Sequence, residues 1–384
     1  MAKIVRALIT PEVLVWAREQ AGLSIEEAAR KVGVSPERLA SWESGASRPT
    51  VRQLRLLGKA YRRPSAFFYL SKPPIAPVEI TDFRRAVLAR ERKPPALLYE
   101  IRRAHFRRQI ALDLLAEMEE QPPLFEISFS LHDDPVLVGA RIRECVAVDV
   151  ETQVAWRDSY EALSGWINAI ERCGVLVFQY GGVEVDIARG FSISEYPLPV
   201  ISLNARDAAV ARIFTLLHEC CHLVIDQSGL CDLYEENGKH VSVEIFCNAV
   251  AAEVLVPREA LLSQPEVGAK PDGIRWSDEM LQALGKRFKV SREVILRRLL
   301  TLGRTTKDFY QRKREEWLEE CESVGKRRGG FLQYHRRVLR DNGRKFTSLL
   351  FEAYRQKLIT AYEVSRYLGG VRLEHIKSIE YDLI

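Results

Sequence analysis

The sequence predicts a mainly α-helical protein with a small β-sheet, an α+β arrangement spread over several domains. Helical periodicity with helix-start signals runs through most of the chain, whereas β-branched and aromatic residues concentrate in three short runs between 175 and 204. The length of 384 residues exceeds what one compact hydrophobic core supports. We therefore expect an N-terminal helical bundle, a central domain that contains the sheet, and a helical C-terminal region.

The composition is that of an ordinary globular protein, with 47% hydrophobic and 28% charged residues. No apolar run approaches the roughly 18 residues of a membrane span, and the first residues lack a signal-peptide core. We therefore expect a cytoplasmic protein that does not enter a membrane. Seven cysteines without framework spacing predict reduced thiols, and a net charge of +5 is too small to indicate nucleic acid by itself.

The N-terminal residues read as four short helices. Ser24 is expected to cap the second helix in a capping box with Glu27, and Ser35-Pro36 is expected to start the third. The proline-rich stretch SKPPIAP (71–77) is the predicted boundary of this part. The expected domains are residues 1–72, 78–265, 270–304 and 305–384.

Residues 1–72 resemble the Xre/Cro-type helix-turn-helix family. The resemblance rests on a set of residues at family spacing: Ala28, Gly33-Val34-Ser35, Leu39, Trp42-Glu43, Gly45, Pro49-Thr50 and Leu54. It implies that residues 35–44 enter the major groove of duplex DNA. The residues expected to contact DNA are Ser35, Glu37, Arg38, Ser41 and Arg48.

The charge of this segment agrees with phosphate contact, since residues 1–63 contain twelve Lys and Arg against six Glu. Two residues depart from that reading. Ile25 stands where the family usually has a glutamine that touches a phosphate, and Glu37 would face a polyanion. The alternative is a helical module for dimerisation or for docking of a partner.

The middle of the chain is predicted to alternate between helices and strands. Helices are expected near 134–145 and 158–172, and strands over 175–180, 182–193 and 199–204. Before them, a long amphipathic stretch has its arginines at 84, 85, 90, 92, 102, 103, 107 and 108, which we interpret as a solvated helix face. Weak helix-turn-helix patterns at 281–303 and 359–383 are interpreted as packing or docking bundles.

The sequence His218-Glu219-Cys220-Cys221-His222 has the spacing of a metal site. On an α-helix, residues four apart lie about 40° apart, so the two histidines share a face and can hold one ion. Glu219 lies about 60° from His222, where a general base for a metal-activated water belongs. Cys220 is expected in the core, and Cys221 beside the histidines as a small hydrophobic residue, a redox sensor or a ligand.

A third ligand is predicted on the helix VSVEIFCNAVAAEVLVP (241–257), which is apolar nearly all round and should be buried. A lone buried carboxylate is costly unless it is paired or bound to metal, which favours Glu244. Asn248 shares its face one turn later. Glu253 is out of phase and is expected to reach solvent, while Asp226 is the alternative ligand.

The two segments together resemble the ImmA/IrrE family of zinc metallopeptidases, whose pattern is HExxH followed by an E-x-x-A-N-x-F-A-A helix. The resemblance covers about 75–300 and implies a zincin-like metallopeptidase core. It also implies one zinc ion per chain, bound by His218, His222 and Glu244, with Glu219 as the base. Tyr234 and His240, in the loop between the two helices, are candidate oxyanion donors.

Three functions are open at this point. The family resemblance implies a regulatory protease that cleaves a small helix-turn-helix repressor or antitoxin in stress response or mobile-element control. The alternatives are a DNA-binding regulator whose zinc is structural or sensory, and a partner-binding component of a toxin–antitoxin pair. The chain could also form a homodimer, which is an expectation about its oligomeric state.

Overall fold

The computed structural model describes residues 5–74, 94–227, 239–269, 275–323 and 332–383. The described residues up to His105 form one compact unit, and those from Phe106 onward form a second. The long helix α5 (Pro95–Glu117) contributes its first residues to the first unit and the rest to the second. The structure agrees with the predicted class, since helices predominate and the sheet has three strands.

The described part of the first unit contains four helices before α5, each started by local sequence signals. They are α1 (Pro11–Gln20), α2 (Ile25–Val32), α3 (Pro36–Glu43) and α4 (Val51–Tyr61), followed by a 3-10 turn, Ser65–Tyr69. The predicted capping box between Ser24 and Glu27 is present, and a second one joins Thr50 and Gln53. Each box satisfies backbone N–H groups that a helix start leaves open.

The core of the first unit is built around Trp42, Leu39, Leu54 and Tyr61, all of which are buried. Ile25, at the position where the family usually has a glutamine, packs against this core. Its side chain therefore contributes to the packing of this unit.

After α5, the described part of the second unit has three further helices before the sheet. They are α6 (Pro135–Val146), α7 (Val150–Ala155) and α8 (Ser159–Arg172), so the helices predicted near 134–145 and 158–172 are confirmed. Asp134 and Asp158 cap α6 and α8 with their carboxylates. Acidic N-caps of this kind satisfy open N–H groups and complement the positive end of the helix dipole.

The sheet has the strand order β1-β3-β2, with β1 at Leu176–Tyr180, β2 at Gly190–Ile193 and β3 at Val200–Asn204. β1 runs parallel to β3, and β2 runs antiparallel to it. The prediction of a strand over all of 182–193 was wrong for its first part. The Asn204 amide donates to the carbonyls of Val183 and Ala188, at 2.9 Å each, and this holds the segment before β2 as a turn.

Two long helices follow the sheet, and the first of them packs directly on it. They are α9 (Ala209–Gln227) and α10 (Lys239–Leu255). α9 packs on β2 and β3, and α10 packs on α9 and α6. The end of α10 before Pro257 agrees with the prediction from sequence, because proline disfavours helical backbone in the residue before it.

The remaining helices are α11 (Arg258–Leu262), α12 (Pro265–Gly268), α13 (Asp278–Phe288), α14 (Arg292–Thr301), α15 (Lys307–Ser323), α16 (Tyr334–Asn342), α17 (Arg344–Arg355), α18 (Ala361–Tyr367) and α19 (Ile376–Leu383). Ser291 caps α14, so the predicted turn at 290–291 separates two helices as expected. In the region 359–383, α18 and α19 pack against each other. No helix within the described ranges is long and apolar enough to cross a membrane.

The junction of α16 and α17 closes the outer edge of β1. Gly343 stands between the two helices with φ of +75°, and a Cβ atom there would lie 2.3 Å from the carbonyl oxygen of Val177. Only glycine permits this approach. Beside it, the backbone N–H of Lys345 donates to the buried carboxylate of Glu171, which also accepts from the N–H of Val177.

Two predictions about charged residues were wrong. Arg107 and Arg108 are buried: Arg107 donates to the carbonyl of Asp341, and Arg108 donates to the carbonyls of Leu198 and Pro197 and to Glu195. Arginines 84, 85, 90 and 92 lie outside the described residues.

Glu253, predicted to reach solvent, is also buried; it pairs with Arg298 and accepts from the N–H of Arg258 at 2.9 Å. Arg107, Arg108 and Glu253 each contact a polar partner that is distant in the sequence. These contacts offset the cost of burying a charged side chain at positions where the helix pattern predicts exposure.

Candidate metal centre

The candidate metal centre is formed by α9 and α10, which bring three potential ligands together. Nε2 of His218 and Nε2 of His222 lie 3.1 Å apart on one face of α9. Glu244 on α10 reaches toward both, with carboxylate oxygens 3.4 Å from His218 and 3.2 Å from His222. The residues predicted from the spacing of the sequence therefore converge in space.

The donor set fits a divalent metal ion. One ligand atom from each of the three residues lies within 4.8 Å of the other two, and both histidines are buried. Oε1 of Glu244 is also buried, and no described group donates a well-aligned hydrogen bond to it. Two imidazoles and a carboxylate with their ligand atoms this close together form the kind of site that zinc prefers.

The electrostatics of these residues also favour a cation. Burial favours the neutral carboxyl of Glu244, but the neighbouring His218 and His222 lower its pKa well below its usual range. Burial likewise favours the neutral ring of His222, but Cys247 and Glu244 raise the pKa of this histidine well above its usual value. Positive charge is thus stabilised at the point where the three side chains meet.

Glu219 lies next to the three ligands and is held by the sheet. It is buried, and its Oε2 accepts a hydrogen bond of 2.9 Å from the hydroxyl of Ser192 on β2. The strand can come this close because Gly190, two residues earlier, has no side chain. A Cβ there would lie 2.6 Å from Cγ2 of Thr215 and 3.6 Å from Cγ of Glu219.

The three cysteines around the centre are all buried. Cys220 lies in the core as predicted, and burial raises the pKa of its thiol to about 12. Cys247 lies with its sulfur 3.8 Å from Nδ1 of His222, and its thiol also interacts with Cys221. Burial raises the pKa of Cys247 above its ordinary range, so the thiols of Cys220 and Cys247 are not poised for oxidation.

The structure describes only some of the other site residues that were predicted from sequence. Tyr234 lies outside the described residues, and so do the side chains of His240 and Asp226. Asn248 is half-buried on α10, one turn beyond Glu244. Sequence reasoning missed Ser192 and assigned no role to Cys247. The only local sign of Ser192 was a hydroxyl two residues after a glycine in a short strand.

The helix predicted to enter the DNA groove is α3, and two of its polar side chains form hydrogen bonds with the backbone of the same helix. Ser35 caps α3 by accepting from the N–H of Arg38, and the hydroxyl of Ser41 donates to the carbonyl of Arg38 at 2.7 Å. Glu37, Arg38 and Arg48 are exposed. The two arginines are therefore free to meet phosphates or base edges, whereas Ser35 already uses its acceptor.

Protein-family models match both the segment that contains the candidate metal centre and the N-terminal helices. Residues 171–300 match the peptidase M78 model, described as an IrrE N-terminal-like domain, and residues 14–68 match a helix-turn-helix model. The two matches agree with the resemblance to an ImmA/IrrE-type protein that has an N-terminal Xre-type helix-turn-helix domain. No curated protein matches the chain. The recognised resemblance is thereby confirmed, although the matched segment starts later than the 75 expected from sequence.

The IrrE N-terminal-like domain contains every element of the candidate centre. The match extends from the end of α8 to α14 and includes β2, α9 and α10. It supports an enzyme of the peptidase type. The helix-turn-helix match includes α2 and α3 and supports binding to DNA.

Proposed function

We propose that this chain is a zinc-dependent regulatory endopeptidase joined to a DNA-binding domain. The observation that carries the proposal is the convergence of His218, His222 and Glu244 beside the buried carboxylate of Glu219. Three ligands suffice to bind the ion, and a fourth polar residue at this place has no structural task in metal binding. A carboxylate adjacent to the ligands is what peptide hydrolysis requires.

Each residue of the centre has one task in the proposed reaction. His218, His222 and Glu244 hold the zinc ion, which when bound acidifies the attacking water and polarises the peptide carbonyl. Glu219 accepts the proton of that water on its carboxylate and passes it to the leaving amine. Tyr234 and His240 are proposed to stabilise the developing negative charge on the substrate oxygen.

The substrate we propose is a small helix-turn-helix repressor or antitoxin. The N-terminal domain supports this choice, because a DNA-binding domain brings the peptidase to the promoter where such a repressor acts. The role is expected in stress response or in control of a mobile element. The second candidate function is a DNA-binding regulator with a structural or sensory zinc ion, which the helix-turn-helix match and the exposed Arg38 and Arg48 support.

The test is coexpression of the full chain with the small regulator encoded beside it, followed by mass spectrometry of the fragments. Glu219→Gln keeps the shape of the side chain and all three metal ligands but cannot accept the proton. Loss of a general base typically lowers a rate 10²–10⁴-fold. A single cut by the wild type that disappears with Glu219→Gln supports the proposal.

An intact regulator in the presence of zinc-loaded wild type, together with a promoter that still responds to the protein, would favour the DNA-binding regulator. Metal content and thermal unfolding are measured for both proteins. They must agree within error, since the substitution leaves the ligands in place.

A further inference from the structure

We propose that Ser192 is a positioning residue that orients the Glu219 carboxylate for proton transfer. The inference rests on the proposed function and extends it to a residue of the sheet. Its basis is the 2.9 Å hydrogen bond from the Ser192 hydroxyl to Oε2 of Glu219. No other residue within the described ranges donates a side-chain hydrogen bond to this carboxylate.

The donor is fixed in space by the backbone of the sheet. Ser192 is paired with Ile201 of β3, and its neighbours Phe191 and Ile193 are buried. Alternate residues of a strand point to opposite faces, so Ser192 shares the face of Gly190, which packs directly on α9. The hydroxyl thus comes from a rigid element and not from a loop.

Rigid support matters for a glutamate because the torsion that turns its carboxylate is only weakly restrained. When Ser192 occupies Oε2, the plane of the carboxylate is set and Oε1 remains as the proton acceptor. Without that hydrogen bond, the carboxylate can rotate about its last bond and spend less time in the productive orientation. Supporting hydrogen bonds around metal centres typically contribute 10–100-fold in affinity or activity.

The arrangement separates two tasks within the centre. The metal ligands lie on α9 and α10, whereas the orientation of Glu219 depends on β2. Removal of the hydroxyl should therefore leave metal binding intact and alter only the behaviour of the carboxylate. A merely structural serine would instead affect folding, or nothing.

The experiment uses the full chain loaded with zinc and acetohydroxamic acid as the probe. A hydroxamate chelates zinc and transfers a proton to a carboxylate beside the metal, so its affinity reports the orientation of Glu219 without any substrate. Titration calorimetry compares the wild type with Ser192→Ala, Ser192→Thr and the control Ser194→Ala. Zinc content and thermal unfolding are measured for every variant.

We expect Ser192→Ala to bind the probe about tenfold more weakly at unchanged zinc content. Ser192→Thr, which keeps a hydroxyl in a residue that suits a strand, should restore most of the affinity. Ser194→Ala, two residues further along the chain, should match the wild type. With a cleavable partner in hand, Ser192→Ala should lower kcat and leave KM unchanged.

Equal probe affinity of Ser192→Ala and wild type overturns the inference, and so does a Ser192→Thr variant as weak as Ser192→Ala. Failure of the proposed function gives a different result. A wild type that binds zinc and the probe but cuts no partner contradicts the peptidase, while the Ser192 comparison still decides the inference. A wild type that binds no zinc contradicts both.

Discussion

Cys247 lies 3.8 Å from Nδ1 of His222, on the side of the imidazole away from the nitrogen that faces Glu244. The family pattern has alanine at this position, so this contact is a feature of the present chain. A partner on the second nitrogen fixes the orientation of a ligating histidine and raises its basicity. The thiol is a weak partner, yet it is well placed for this purpose.

We predict that Cys247→Ala lowers zinc affinity by about tenfold, the lower end of the range for such partners. Cys247→Ser, which keeps a polar atom near Nδ1, should lower it less. Competition with a chromophoric chelator measures the change. Cys220→Ala is the control, because Cys220 is equally buried on α9 but lies in the core. The same loss of affinity in Cys220→Ala would refute the assignment.

The third ligand can be tested by metal stoichiometry. We predict that Glu244→Ala abolishes tight zinc binding, because two histidines alone leave the ion with too few protein ligands. Asn248→Ala, one turn further along α10, should retain the metal and serves as the matched control. Full occupancy in Glu244→Ala, combined with loss of zinc in Asp226→Ala, would transfer the ligand role to Asp226.

DNA binding by the N-terminal domain should depend on the exposed arginines of α3 and of the loop after it. We predict that Arg48→Ala weakens binding to the DNA upstream of the gene and reduces the salt slope by about one. Arg38→Ala should weaken binding as well. Lys357→Ala, an exposed residue in the C-terminal region, is the control. Identical salt slopes for Arg48→Ala and wild type would favour the docking alternative.

Stability should depend on pH through Glu171. Burial raises the pKa of this carboxyl from 4.5 to about 7. The folded state therefore holds a proton that the unfolded state has lost between these values, and stability falls as the pH rises from about 4.5 to 7. The full effect is about 3 kcal/mol.

Glu171→Gln should remove this slope, since the amide does not titrate. Urea unfolding at several pH values measures it. Glu315→Gln, which replaces an exposed carboxylate on α15, should unfold with the slope of the wild type. If Glu171→Gln retained the wild-type slope, the titrating group would have to be another residue.

Sequence reasoning predicted the parts of the molecule that depend on local periodicity. The position of His218 and His222 on one face follows from helix geometry, and the apolar surroundings of Glu244 follow from composition along a single helix. Capping signals predicted the starts of α2 and α3. These features need no knowledge of distant residues.

The errors arose where contacts between residues far apart in the sequence determine the local structure or the burial of a side chain. In the segment before β2, apolar and polar residues alternate as in a strand, but the side-chain amide of Asn204 donates hydrogen bonds to two of its carbonyls. The helix pattern predicts exposed side chains for Glu253 and Arg107. In the structure Glu253 pairs with Arg298, and Arg107 donates to the carbonyl of Asp341. The local sign of Ser192, a hydroxyl two residues after a glycine, was too weak for a prediction, because the importance of this residue depends on which helix packs against its strand.

The capped edge of β1 has a consequence for how the protein can be divided. Residues after 300 fall outside the IrrE N-terminal-like match, yet Gly343 lies against the outer edge of β1, and the N–H of Lys345 donates to Glu171 beside it. An exposed strand edge is a template for pairing with other chains. A fragment trimmed to the recognised domain would expose that edge and self-associate, so a soluble peptidase fragment needs the C-terminal helices that sequence comparison leaves unassigned.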